Sequence, residues 1–169
     1  MAASRTRPAF ETVVTAHAVT VSRVCRAVLG PHPDADDAWS ETFLAAMRAW
    51  PELPDDANVE AWLVRIAHRK AIDVVRARGR RALPVGDPAE QVSTRGIPDG
   101  TRLDVWAALR ALPDKQRQAV AYHHLAGLPY QDIAELLGGT PEAARRAAAD
   151  GMKTLRRLLA DGSTEGAMP

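Results

Sequence analysis

Residues 81–100, RALPVGDPAEQVSTRGIPDG, hold three prolines and three glycines and carry no helical period. Proline removes a backbone donor and glycine weakens a helix, so no regular element is expected to cross this stretch. It reads as a flexible linker. The 169-residue chain is thereby cut into a first part of about 80 residues and a second of about 65. Parts that small bury little surface, so each needs a compact core.

The flanking segments are helical by period. Residues 8–29 open with Pro8, stop at Gly30-Pro31, and repeat Phe10, Val13, Val14, Val21, Val24, Val28 and Leu29 at mostly helical spacing. Residues 34–50 carry the stripe Trp39, Phe43, Ala46 and Trp50, which reads as core, and Pro51 and Pro54 end that helix. The segment PELPDDAN is a loop whose Asn58 is an N-cap for a helix over 59–79. On that helix Val59, Leu63, Ile66, Ala67 and Val74 share one side. Arg65, Arg69, Arg76 and Arg80 fall within about 60° of one another on the other side. After the linker, Thr101 and Asp104 form a T-x-x-D cap signal for a helix to about Leu112. Pro113 opens a helix that Gly127 ends, and a short helix follows over 129–137. Thr140-Pro141 caps a last helix over 141–160. The tail 161–169 is expected to be disordered. No strand pattern or repeat is visible. The expected fold is all-α, with two small helical domains: 8–80, and 101–160 beyond the linker 81–100.

Charge is patterned, although 22 basic and 21 acidic residues nearly cancel. Residues 34–60 carry eight acids and one base, and residues 65–81 seven bases and one acid. Residues 141–159 carry five bases and two acids. Such local fields choose partners more than the total does. No apolar run approaches the ~18–20 residues of a membrane span, and MAASRTRPAF lacks a signal-peptide core. The expected compartment is the cytoplasm. The one cysteine, Cys25, cannot form an internal disulfide or hold a structural zinc, and in an apolar helix it reads as buried and inert. His123 and His124 are adjacent and so are expected on different helix faces. His17, His32 and His68 lack partners at ligand spacing, so no metal site and no cofactor are expected. No P-loop, nucleophile elbow or dinucleotide fingerprint occurs, which leaves an enzyme reading unsupported.

The segment YQDIAELLGGTPEAARRAA has the short helix, tight glycine turn and second helix of a helix-turn-helix. Ile133, Ala134 and Leu137 point inward from the first helix, and Ala144, Ala148, Gly151 and Leu155 from the second. Glu142, Ala143, Arg145, Arg146, Ala149, Asp150 and Lys153 remain outward. The outward N-terminal half of such a helix enters the major groove, where Arg reads guanine and Lys holds phosphate. Two packed helices with a solvated face would give the same pattern.

Three segments in order resemble the extracytoplasmic-function (group IV) sigma factors of bacterial RNA polymerase: DADDAWSETFLAAMRAW (34–50), AWLVRIAHRKAIDVVRARGRR (61–81) and LRALPDKQRQAVAYHHLAGLPYQDIAELLGG (109–139). The resemblance covers residues 9–160. It implies a non-catalytic subunit that docks on the clamp helices of the largest core subunit and the flap of the second largest. It would direct core to promoters and assist melting. The docking face would be Asp37, Ser40, Glu41, Leu44 and Arg48. The minus-10 element would meet Asp55, Asp56, Asn58, Trp62, Arg65, His68, Arg69, Arg76 and Arg80. An acidic loop beside a basic helix suits capture of an unpaired base by a positive groove plus a pocket. Trp62 fits either stacking at that loop or the core. The minus-35 element would meet Thr140, Glu142, Ala143, Arg145, Arg146, Ala149 and Lys153. Many family members have an anti-sigma partner, but no residue here specifies one. The resemblance also implies a monomer in isolation with no membrane contact of its own, nucleoid-associated when in holoenzyme.

The sequence departs from the family at Ala147, Asp150 and Met152, where basic residues are common by the register above, and at Arg69, where asparagine is common. Two other readings stay open. One is a stand-alone helix-turn-helix regulator. The other is a protein-only module that sequesters a partner, favoured by the weakly basic last helix.

Overall fold

A computed structural model describes residues 7–81 and 101–165, with side chains placed for 7–81 and 105–161. The expected linker, residues 81–100, lies almost wholly outside the described residues, as do the Thr101 and Asp104 side chains. Among the described residues every regular element is helical. Helices α1 (Phe10–Leu29), α2 (Pro33–Ala49) and α3 (Val59–Arg81) form the first domain. Helices α4 (Thr101–Arg110), α5 (Asp114–Val120), α6 (Tyr130–Leu137) and α7 (Pro141–Glu165) form the second.

Local signals explain most boundaries. Asn58 caps α3 by accepting from the Ala61 N–H at 3.0 Å, and Thr140 caps α7 by accepting from the Ala143 N–H at 3.2 Å. Gly30 ends α1 at φ +74°, where its N–H reaches the Arg26 carbonyl at 2.9 Å. Other details differ from the sequence reading. Pro8 lies before α1, with Ala9 at the cap position, so it is not a first-turn residue. Pro33 takes the first turn of α2, and His32 Nδ1 caps it by accepting from the Asp34 N–H at 3.1 Å. Helix α7 runs to Glu165 rather than stopping at 160. Extending a formed helix adds a hydrogen bond per residue, and a single glycine such as Gly162 costs only about 1 kcal/mol.

The helix expected over 113–126 is two elements. After α5 the backbone widens into a π-helical turn over Ala121–Leu125. The Ala126 N–H reaches back to the Ala121 carbonyl at 3.1 Å, and the Leu128 N–H to the Tyr122 carbonyl at 2.9 Å. Gly127, at φ +68°, lets the chain turn there.

Helix α1 meets the length and composition of a membrane span, with mean hydropathy 1.2 over its apolar window, contrary to the expectation that no segment would. Its packing explains this. Val13, Val21, Val24, Cys25 and Val28 are buried against α2, α3 and the second domain. The expectation of one core per domain gives way to a shared one. A single cluster of buried residues runs from Val21, Val24, Phe43 and Leu63 to Tyr122, Leu128, Ile133 and Ala148. A smaller cluster of Ala108, Leu109, Leu112, Val120 and Leu155 fixes α4 and α5 on α7.

Candidate nucleic-acid and polymerase interfaces

The helix-turn-helix face is built as its pattern requires. Gly138 and Gly139 take φ +71° and +133° between α6 and α7. Ala144, Ala148, Gly151 and Leu155 are buried, while Glu142, Ala143, Arg145, Arg146, Ala149, Asp150 and Lys153 are all exposed. Thr140 is also exposed, although its hydroxyl is engaged as the cap. Gly151 is needed for contact. A β-carbon there would stand 2.7 Å from Val120 Cγ2 and 3.2 Å from the Gln116 carbonyl. Ala147 and Met152 are half-buried, each packed against one of the two cores. They do not face outward, so of the three departures only Asp150 alters the exposed charge.

Sequence reading missed what orients Arg145. Its guanidinium lies 5.5 Å from the Tyr130 ring centroid, and Tyr130 stacks on His123 at 4.1 Å. His123 Nδ1 donates to the Leu128 carbonyl at 2.9 Å. His123 and His124 were expected on different faces, yet the widened turn brings their rings within 4.9 Å. Burial and the neighbouring His123 lower the His124 pKa below 6.5. Among the described residues no three His, Cys, Asp or Glu side chains converge as a metal site.

The basic helix α3 divides in two. Arg69, Arg76 and Arg80 are exposed, with Arg76 3.8 Å from Asp73. Arg65 and His68 instead meet the second domain. Arg65 lies 3.4 Å from both Asp132 and Glu135 of α6. His68 is buried, with Nδ1 2.6 Å from the Tyr122 hydroxyl, and it also bonds the backbone of Leu136. Burial holds its pKa below 6.5, so the neutral ring accepts the Tyr122 proton. His68 therefore cannot touch DNA while the domains are packed. Arg117 adds a third link, its Nε donating to the Ala27 carbonyl at 2.6 Å. No single-element pattern could place these pairs, because their partners are 54 to 90 residues apart.

The loop between α2 and α3 starts with a short 3-10 turn, Trp50–Glu52. Asp56 is exposed, and the side-chain oxygen of Asn58 serves the cap. Asp55 accepts from Arg7 at 2.9 Å. Trp62 is half-buried and packs on the core, its ring 6.2 Å from Trp50, so it joins both roles considered for it. A cavity of about 420 Å³ opens between this loop and the residues before α1.

On α2, Asp37, Ser40, Glu41, Leu44 and Arg48 are all exposed. Ser40 Oγ donates to the Asp36 carbonyl at 3.1 Å, and Glu41 lies 3.6 Å from Lys70 of α3. Met47, one helical turn from Leu44, is 51% exposed and extends the apolar strip of this acidic face. Its i+3 spacing from Leu44 was the available signal. Cys25 is fully buried beside Thr42, and burial raises its pKa to about 12, which leaves it protonated.

Comparison with known proteins agrees with this layout. The Sigma-70 region 2 model matches residues 13–81, and the Sigma-70 region 4 model matches residues 102–155. The ECF RNA polymerase sigma factor SigE of Mycolicibacterium smegmatis is 34% identical over 168 residues, covering 95% of this chain. This chain spans 65% of that relative's length. The ECF RNA polymerase sigma factor SigM of Mycobacterium tuberculosis is 31% identical over 154 residues, covering 90% of this chain and 78% of its own. The sigma factor RpoE of Bartonella quintana, solved in complex with the anti-sigma factor NepR, shares the fold. Its TM-score is 0.71 at 21% identity, over 89% of this chain and 96% of that one. Region models in the right order over both helical domains, together with relatives matched across nearly the whole chain, place the protein in the sigma-70 family, within its extracytoplasmic-function group.

Proposed function

We propose that this chain recruits core RNA polymerase in the cytoplasm and directs it to promoters. In this role α7 reads the minus-35 element and α3 with the loop 51–58 handles the minus-10 element. The exposed face of α2 docks on core. The observation that carries the reading is the seven-residue outward face of α7, in a chain whose other domain pairs a basic helix with an acidic docking helix. Arg145 and Arg146 suit guanine edges, and Lys153 suits phosphate. The chain acts as an initiation factor, and bond-making is left to the polymerase.

The packed arrangement is then a resting form. Elements named for positions minus 10 and minus 35 are ~25 base pairs apart, or about 85 Å along B-DNA. A compact chain of ~150 residues has a radius of gyration of about 15 Å and is roughly 40 Å across. Reading both elements therefore requires the domains to part, which frees Arg65 and His68. RpoE was solved with an anti-sigma factor, and a partner of that kind that favours the packed form would hold this chain inactive.

Run-off transcription with purified core polymerase on fragmented DNA of the source genome tests the proposal. Discrete new starts that share an upstream box are expected when the chain is added. Duplex binding without core, and no new starts with it, would reject the proposal in favour of a stand-alone regulator.

A further inference from the structure

The loop 50–58 poses an electrostatic problem for the role assigned to it. It carries Glu52, Asp55 and Asp56 and no base, yet it is to receive a segment of nucleic acid. Its backbone also has carbonyls to satisfy. Within the loop, the Leu53 N–H reaches the Trp50 carbonyl at 3.3 Å and the Ala57 N–H reaches the Pro54 carbonyl at 3.1 Å. No loop donor is paired with the Leu53 carbonyl or the Asp55 carboxylate among the described residues.

Arg7 supplies what is missing. Its guanidinium donates to the carbonyls of Trp50 and Leu53 and to the Asp55 carboxylate. It also lies 5.3 Å from the Trp50 ring centroid. Trp50 is held from behind by Phe10 at 5.8 Å and Trp62 at 6.2 Å. One side chain thus engages three acceptors and an aromatic face, more than 40 residues away in sequence. Arginine is suited to this, because its planar fork presents five donors in fixed directions, whereas lysine offers a single point charge. The same contacts neutralise Asp55 and set a cation beside an aromatic wall at the mouth of the cavity. That pairing is what single-stranded nucleic acid needs.

We propose that Arg7 is a positioning residue that holds the loop 50–58 in the shape that receives an unpaired base of the promoter, acting through Trp50, Leu53 and Asp55. The inference rests on the proposed role of the loop in base capture. It assigns to the segment before α1 a part in base selection.

The test uses the full chain bound to core polymerase and a set of single-stranded DNA probes randomised at each position. Wild type, Arg7→Ala and Arg7→Lys are compared, with circular dichroism to confirm equal helicity. Hydrogen exchange of the Leu53 and Ala57 amides gives a readout independent of DNA. Arg7→Ala is expected to lower the preference for the captured base about tenfold, the loss of one charge-assisted hydrogen bond. Exchange at both loop amides should rise while that at Leu63 and Val64 stays unchanged. Arg7→Lys should restore overall affinity for the strand but not the base preference. A wild-type preference profile in Arg7→Ala, or full rescue of it by lysine, would overturn the proposal and leave Arg7 at most a phosphate contact. A wild-type protein with no base preference at any position would instead remove the base-capture role of the loop, and this inference with it.

Discussion

Tyr122→Phe tests whether the packed form is a resting state. The Tyr122 ring is fully buried, and its hydroxyl reaches His68 Nδ1 across the domain boundary at 2.6 Å. Phenylalanine keeps the ring and removes the hydroxyl, leaving a buried ring nitrogen without its donor. Such a loss costs about 1–3 kcal/mol. In the parted form both groups meet water, so the cost falls on the packed form alone. The ratio of parted to packed molecules should rise about 5- to 150-fold. Single-molecule energy transfer between dyes on the exposed positions Ala16 of α1 and Arg156 of α7 reads that ratio directly. Apparent affinity for core should improve by up to the same factor, because a partner that needs the parted form no longer works against the packed one. A change that removes a buried hydrogen bond should therefore strengthen binding. Transfer histograms that superimpose on wild type at unchanged helicity, or weaker core binding, would refute the reasoning.

Acid should act on the same contact. His68 is neutral when packed because burial depresses its pKa below 6.5, so its contribution is complete above about pH 6.5 and is lost as pH falls below it. The energy-transfer ratio should shift toward the parted form on acidification, and less so in Tyr122→Phe. Gly151→Ala would gain about 1 kcal/mol on helix preference alone. The added carbon would stand 2.7 Å from Val120 Cγ2, on a buried β-branched side chain that cannot rotate away, and overpacking costs about 1–3 kcal/mol. The melting temperature should fall or stay level, and a rise would show that α5 and α7 yield easily. Replacing Arg145 and Arg146 together by Ala should weaken binding of the upstream promoter box and lower its salt slope by about 2, with core affinity retained. An unchanged slope in a filter-binding titration would remove the recognition assignment.

The helices were legible because their signals are local. Asn58 and Thr140 act within one turn of their own position, and the i, i+4, i+7, i+11 pattern of Ala144, Ala148, Gly151 and Leu155 sets the buried side of α7 by period alone. The same period fixes the outward face of that helix, which is why its exposed residues could be named from the sequence. The resemblance to the family also rests on such short segments. Ala147 and Met152 show where periodicity runs out. They sit on the flanks of the helix, where exposure depends on which neighbour packs there, and each meets a core.

What the tertiary structure alone decided is the state of the minus-10 helix. By period, Arg65 belongs with Arg69, Arg76 and Arg80, and His68 lies beside them. Contact with α6 and Tyr122 takes Arg65 and His68 out of that set. The wide turn over Ala121–Leu125, the shared core and the reach of Arg7 to the loop are of the same kind. The sequence determined two small helical domains with a reading helix and an acidic docking helix, because those depend on spacing within one element. The tertiary structure decided which charges are free, because a charge is masked by whatever packs against it, and those partners lie tens of residues away along the chain.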